Sequence, residues 1–211
     1  TFVQYRLPEH TYRTPDGDCA ALSLLSISSF DGTWPFMISV AAVQSACTNL
    51  QVFVSGEVAI YKAKHTQSLD IEHGANIIVK SLDVFNRERE LWQQWQGQKV
   101  CDMEAFLFFA DALNVNINTG GLDVGYSPDD VIHNLKRRNE NLNYIWRVYT
   151  AVYKNRLGSN YWAVYNAMTD WSTHFGVVRQ SSERNIASIQ NDRQQVIRQA
   201  VSSNSVLRLA A

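Results

Sequence analysis

The chain has 211 residues, 45% hydrophobic and 18% charged, with a formal net charge of −1. That is enough for one substantial core and is not the make-up of a disordered chain. No apolar run approaches the roughly 18–20 residues of a membrane helix, so a helix spanning a bilayer is excluded.

There is no basic-then-apolar leader. The chain starts at Thr1 and stops at Ala211, and it reads as the ordered part of a longer polypeptide. Cys19, Cys47 and Cys101 are odd in number and lack a CxxC pair, which speaks against a disulfide scaffold and a thiolate metal site. With no N-x-S/T acceptor either, a reducing cytoplasm is the expected compartment. Charge is uneven: residues 1–122 carry 8 Lys/Arg against 13 Asp/Glu, and residues 123–211 carry 11 against 7. A partner attracted by charge is expected to meet the second half more readily.

In chain order, residues 1–19 read as an irregular lead-in ending in the turn-forming Thr14-Pro15-Asp16-Gly17-Asp18. A strand block spans 20–66. Ala20–Ser28 and the run from Phe36 to Val43 flank a hairpin turn at Asp31-Gly32, and the second run is apolar on both faces. Gln51–Val54 and Val58–Lys64 flank Ser55-Gly56-Glu57, a second expected hairpin. Period two puts Lys62 and Lys64 on one face, Tyr61 and His65 on the other.

A helical layer over 70–175 follows. Ile71, Ala75, Ile78, Leu82, Phe85 and Trp92 predict a long helix to about Gln96, with Arg89 breaking its stripe. Asp102 is the expected N-cap of a helix over Met103–Leu113, and Asn114–Gly125 is a loop. Ser127-Pro128-Asp129-Asp130 starts a further helix whose stripe runs through Val131, Leu135, Leu142, Ile145, Tyr149 and Val152. Arg138 interrupts that stripe, and Arg156–Asn160 is a break. Tyr161–Phe175 is the last strong helix. Residues 184–211 read as a peripheral, weakly amphipathic helix suited to a subunit contact.

No metal site is expected, because His10, His65, His73, His133 and His174 show no ligand spacing and HExxH is absent. GxSxG, the Walker lysine loop and GxGxxG are absent too, so no cofactor and no catalytic set is expected. Cys47–His65 and Asp170–His174 are the pairs from which an enzyme could be drawn; each lacks a third orienting group. Asn166, Asp170 and His174 form a polar ridge at i, i+4, i+8. It fits a solvated helix face with an Asp–His pair, or the lining of a groove or subunit contact together with Trp162. Lys62, Lys64, His65 and Thr66 end the strand block. They fit edge protection or phosphate contact, and Lys136, Arg137 and Arg138 fit the same role.

Four patches resemble one family: Ser28–Thr33, Gln44–Asn49, Ala63–Thr66 and Tyr161–His174. Together they are similar to the phage/plasmid-like family called domain of unknown function 932. The Trp162–His174 patch, matching W-x-x-x-N-A-x-T-[ED]-x-x-x-H, is the specific one. Phe30, Gln44 and Leu50 depart from the histidine, arginine and glycine usual there. The resemblance implies a phage, prophage or plasmid setting in DNA metabolism. The element order is also similar to the β-β-β-α core of Rad52-like single-strand annealing proteins.

The expectation is therefore a single α+β domain over 1–211, with an antiparallel sheet from two hairpins followed by a long packed helix and further helices. Its function would be single-stranded DNA binding and annealing as a ring or filament homo-oligomer, with no membrane partner. The alternative is a mobile-element assembly or host-interaction protein that ignores DNA.

Overall fold

The computed structural model describes residues 2–14, 16–28, 35–45, 49–51, 53–54, 61–64, 70–117, 127–176 and 192–204. Its first strand lies where an irregular segment is expected. β1 (Phe2–Arg13) pairs antiparallel with β2 (Cys19–Ile27), from Phe2 opposite Ile27 to Arg13 opposite Cys19. This replaces the irregular lead-in expected over residues 1–19. Val3, Tyr5 and Leu7 do alternate with Gln4 and Arg6, a strand signal that Pro8 and the polar run Glu9–Thr11 cut short. The register slips between Arg6 and Thr11, and Pro8 falls in that bulge, where its missing N–H costs no ladder bond. The turn to β2 forms as expected: Gly17 N donates to the Thr14 carbonyl at 2.9 Å and Gly17 takes φ +84°.

β2 and β3 (Phe36–Gln44) form the expected antiparallel pair, Ala20 opposite Gln44 and Ile27 opposite Met37; Asp31-Gly32 lies outside the described residues. β4 (Leu50–Gln51) and β5 (Tyr61–Ala63) both pair with the far edge of β3, at Ala42–Val43 and at Phe36–Ile38. They succeed each other along one edge and are not paired as the expected second hairpin; residues 55–60 lie outside the described ones. The long edge of β3 satisfies backbone groups of both segments, which two short strands alone do poorly. β3 is covered on both faces. Val40 and Ala42 join the main core, while Ala41 and Val43 form a separate buried cluster with Leu25 and Leu50.

α1 (Ile71–Gly97) starts on Asp70, which accepts from His73 N at 2.8 Å. Its buried Glu88 accepts from Val54 N at 2.5 Å, beside Arg198 Nε donating to the Phe53 carbonyl at 3.0 Å. α2 (Asp102–Ala112) is capped by Cys101, not by the expected Asp102. Glu104 N approaches Cys101 Sγ at 3.5 Å and Glu104 Oε2 accepts from Cys101 N at 2.8 Å. Asp102 instead pairs with Lys154 at 2.6 Å.

The stripe expected to run on from Ser127 is split at Asn139, which ends α3 (Pro128–Arg138) and caps α4 (Glu140–Val148) through Leu142 N at 3.0 Å. A π-helical turn, Tyr149–Tyr153, leads into α5 (Lys154–Leu157). α6 (Tyr161–His174) is buried at every position except Asp170 and His174, and packs against α1, α2, α4 and β4. α7 (Gln194–Ser203) lays Ile197, Ala200 and Val201 against α2 and α6 of its own chain, so this stripe is already used within the subunit.

The result is α+β: an antiparallel sheet ordered β1-β2-β3-β4, with β5 also on β3, followed by helices. Among the described residues no helix is long and apolar enough to cross a membrane.

Candidate functional site

Polar side chains converge where α6 crosses the β3–β4 end of the sheet. Asn166, Asp170, Thr173 and His174 share one side of α6, as their spacing predicts. That side is solvated only in part: Asn166 is 0% exposed and Thr173 9%, Asp170 is half-buried and His174 exposed. A helix otherwise apolar all round is drawn into the core, and Asn166 and Thr173 go with it.

Once buried, these groups need partners. Asp170 does not pair with His174. Its carboxylate accepts from Tyr144 Oη at 2.7 Å and from Tyr153 Oη at 2.9 Å. Asn49 Nδ2 donates to Tyr153 Oη at 2.6 Å, and Asn49 Oδ1 lies 2.9 Å from His174 Nε2. Further along, Gln51 Nε2 donates to Asn166 Oδ1 at 3.3 Å and to Gln44 Oε1 at 3.1 Å. Leu50 N donates to Thr173 Oγ1 at 3.1 Å. The resemblance patches Gln44–Asn49 and Trp162–His174 thus meet in one hydrogen-bonded seam.

Burial, then the hydrogen bond to Asp170 and its charge, hold the Tyr144 phenol above the ordinary tyrosine range. Tyr149 is pushed up to about 12, first by burial and then by Asp102. Folding therefore favours the neutral phenols. Their stabilisation is complete below the unfolded value of about 10 and is lost as pH rises through the folded ones. The urea midpoint is expected to be insensitive to phenol ionisation up to about pH 10 and to fall above it. Tyr149→Phe should make that fall shallower by about 1.4 kcal/mol per pH unit. A wild-type midpoint unchanged beyond about pH 11 would refute it.

Trp162 lies outside the seam. It is buried in the aromatic core, 5.4 Å from Trp92 and 5.6 Å from Tyr165 between ring centroids. Lys64 is exposed just beyond β5, and Lys62 stands in β5 opposite Met37. His65, Thr66 and Cys47 lie outside the described residues. Lys136, Arg137 and Arg138 occupy the last turn of α3, at the negative end of that helix. α3 packs chiefly on α4, whereas β5 packs on β3 and α1, so these contacts do not bring the two cationic groups together. No group of three potential metal ligands exists among the described residues.

Tyr144, Tyr153 and Gln51 were missed as members of the site. Their one sequence signal is polar atoms at positions that pack inward, and a lone tyrosine there reads equally as core.

No curated protein and no solved structure matches the chain. One family does match, over residues 1–193. That span covers the sheet, the seam and α6, and on it the chain belongs to the family described as a domain of unknown function (DUF932).

Proposed function

We propose that this protein binds and anneals single-stranded DNA as a homo-oligomer, in a phage or plasmid setting within a bacterial host. What carries the reading is the order β1-β2-β3 then α1: an antiparallel meander with a 27-residue helix packed on β3 and β5. This order is similar to the β-β-β-α core of Rad52-like annealing proteins, and fold likeness is its warrant. Lys62 and Lys64 at the end of the sheet, with His65 and Thr66 next in sequence, would contact phosphate, as would Lys136, Arg137 and Arg138. A few such contacts per subunit are weak, and repetition around a ring or filament supplies avidity. The seam has a supporting part: it ties α6 to the sheet edge that a strand groove would run beside.

The test is oligonucleotide affinity across salt, with particle mass measured alongside. Affinity should fall linearly in log–log form, and removing one phosphate-binding cation should lower the slope by about 0.7. Lys64→Ala and the triple change Lys136→Ala, Arg137→Ala, Arg138→Ala should each weaken binding and flatten the slope. No binding at low salt, or affinity indifferent to salt, would sink the proposal. A defined oligomer that ignores DNA would favour an assembly protein.

A further inference from the structure

We infer that the cleft between the Thr14–Asp18 turn, the end of α1 and the start of α6 binds a small oxyanion ligand, a molecule carrying a phosphate or carboxylate. The cavity measures about 360 Å³, and Asp16, Gln96, Lys99, Arg156, Asn160 and Trp162 are among its lining residues. That volume suits a small molecule rather than a polymer strand.

The chemistry follows from which polar groups already have partners. Asn160 is used at both ends of its amide: Nδ2 donates to the Leu157 carbonyl at 2.8 Å and Oδ1 accepts from Ala163 N at 2.9 Å. Gln96 Nε2 donates to Tyr12 Oη at 2.7 Å. Three further lining residues, Trp162, Lys99 and Arg156, carry donors. Trp162 is 1% exposed, and its indole N–H has no hydrogen-bond partner among the described residues. Lys99 is exposed and pairs with no carboxylate among them. Arg156 packs over the Tyr153 ring at 5.4 Å, with Nε 2.8 Å from Asp16 Oδ2 and Nη2 3.6 Å from Asp18 Oδ2. Neither nitrogen makes an aligned hydrogen bond.

A buried donor without an acceptor is uncommon, and the Trp162 indole N–H shares this cavity's lining with exposed Lys99 and ion-paired Arg156, a set of donors suited to an acceptor-rich guest. Charge-assisted bonds from Lys and Arg to an oxyanion are the strong ones. Asp16 opposes the guest, because it already neutralises part of Arg156. An incoming oxyanion competes with it, which gives the test its sign. This site goes beyond strand annealing and requires no oligonucleotide.

The experiment titrates the 211-residue chain with inorganic phosphate, a nucleoside monophosphate and succinate at constant ionic strength, read by calorimetry. The three arms separate free phosphate, nucleotide and carboxylate as the source of the group. At least one should saturate with Kd below about 1 mM. Lys99→Ala should weaken that binding about tenfold. Asp16→Asn should tighten it about threefold, which a merely structural role would not do. Lys99 is exposed, and Asp16 sits in a surface turn with its side chain 14% exposed; circular dichroism checks that both variants fold. No saturation by any probe up to about 10 mM would overturn the site. So would equal affinities in wild type and both variants. Oligonucleotide affinity should be unchanged by Lys99→Ala, so failure of strand binding leaves the ligand result standing. Loss of both together would overturn a separate small-ligand site.

Discussion

Replacing Trp92 by alanine is expected to cost about 3–5 kcal/mol, a large share of the roughly 5–15 kcal/mol that holds a domain folded. Trp92 is 0% exposed. Its ring centroid lies 5.4 Å from Tyr12, 6.0 Å from Phe85 and 5.4 Å from Trp162. It therefore joins β1, α1 and α6 at one point. Truncation leaves a cavity that backbone-held elements on three sides cannot close, which is the condition for the high end of the range. Trp92 Nε1 has no hydrogen-bond partner among the described residues. Trp92→Phe removes that buried donor along with part of the ring, so it should cost about half as much. Urea unfolding followed by circular dichroism measures both. A loss below about 1 kcal/mol in Trp92→Ala would mean that the site collapses freely.

The second large effect is at Asp170. Asp170→Ala removes the acceptor shared by Tyr144 and Tyr153, and Tyr153 is 0% exposed. Stranding hydroxyls in the seam is expected to cost about 2–4 kcal/mol. Asp170→Asn keeps one acceptor oxygen and should lose about half of that. Denaturant midpoints check the order Ala below Asn below wild type. Oligonucleotide binding by the folded Asp170→Asn variant then separates two roles. Retained affinity makes the ridge of α6 scaffolding; lost affinity with an intact fold puts it in the strand groove. A midpoint for Asp170→Ala within about 0.5 kcal/mol of wild type would show that the tyrosines find other partners.

Several elements were legible because their determinants are local. Asp70, Ser127-Pro128 and the Thr14–Asp18 turn punctuate the chain where their side chains bond backbone groups a few residues away. The apolar run in β3 announced cover on both faces, and the structure has it. Where local signals compete, the sequence is a poorer guide. Asn139 can continue a stripe or cap a helix, and it caps. Cys101 outdoes Asp102 as the cap because Glu104 completes the reciprocal box with it.

What the residues determined by themselves is the α+β order of a strand block followed by helices, the helix starts, and the grouping of Asn166, Asp170, Thr173 and His174 on one side of α6. Each depends on periodicity or on contacts within about one helical turn. Only the tertiary structure decided that β4 and β5 share one edge of β3, and that Asn166 and Thr173 are buried while His174 is not. The reason is distance along the chain. His174 meets Asn49 across 125 residues, and Gln51 meets Asn166 across 115. A polar side chain carries no local mark of whether water or a distant amide will satisfy it; the packing of α6 against the sheet settles that.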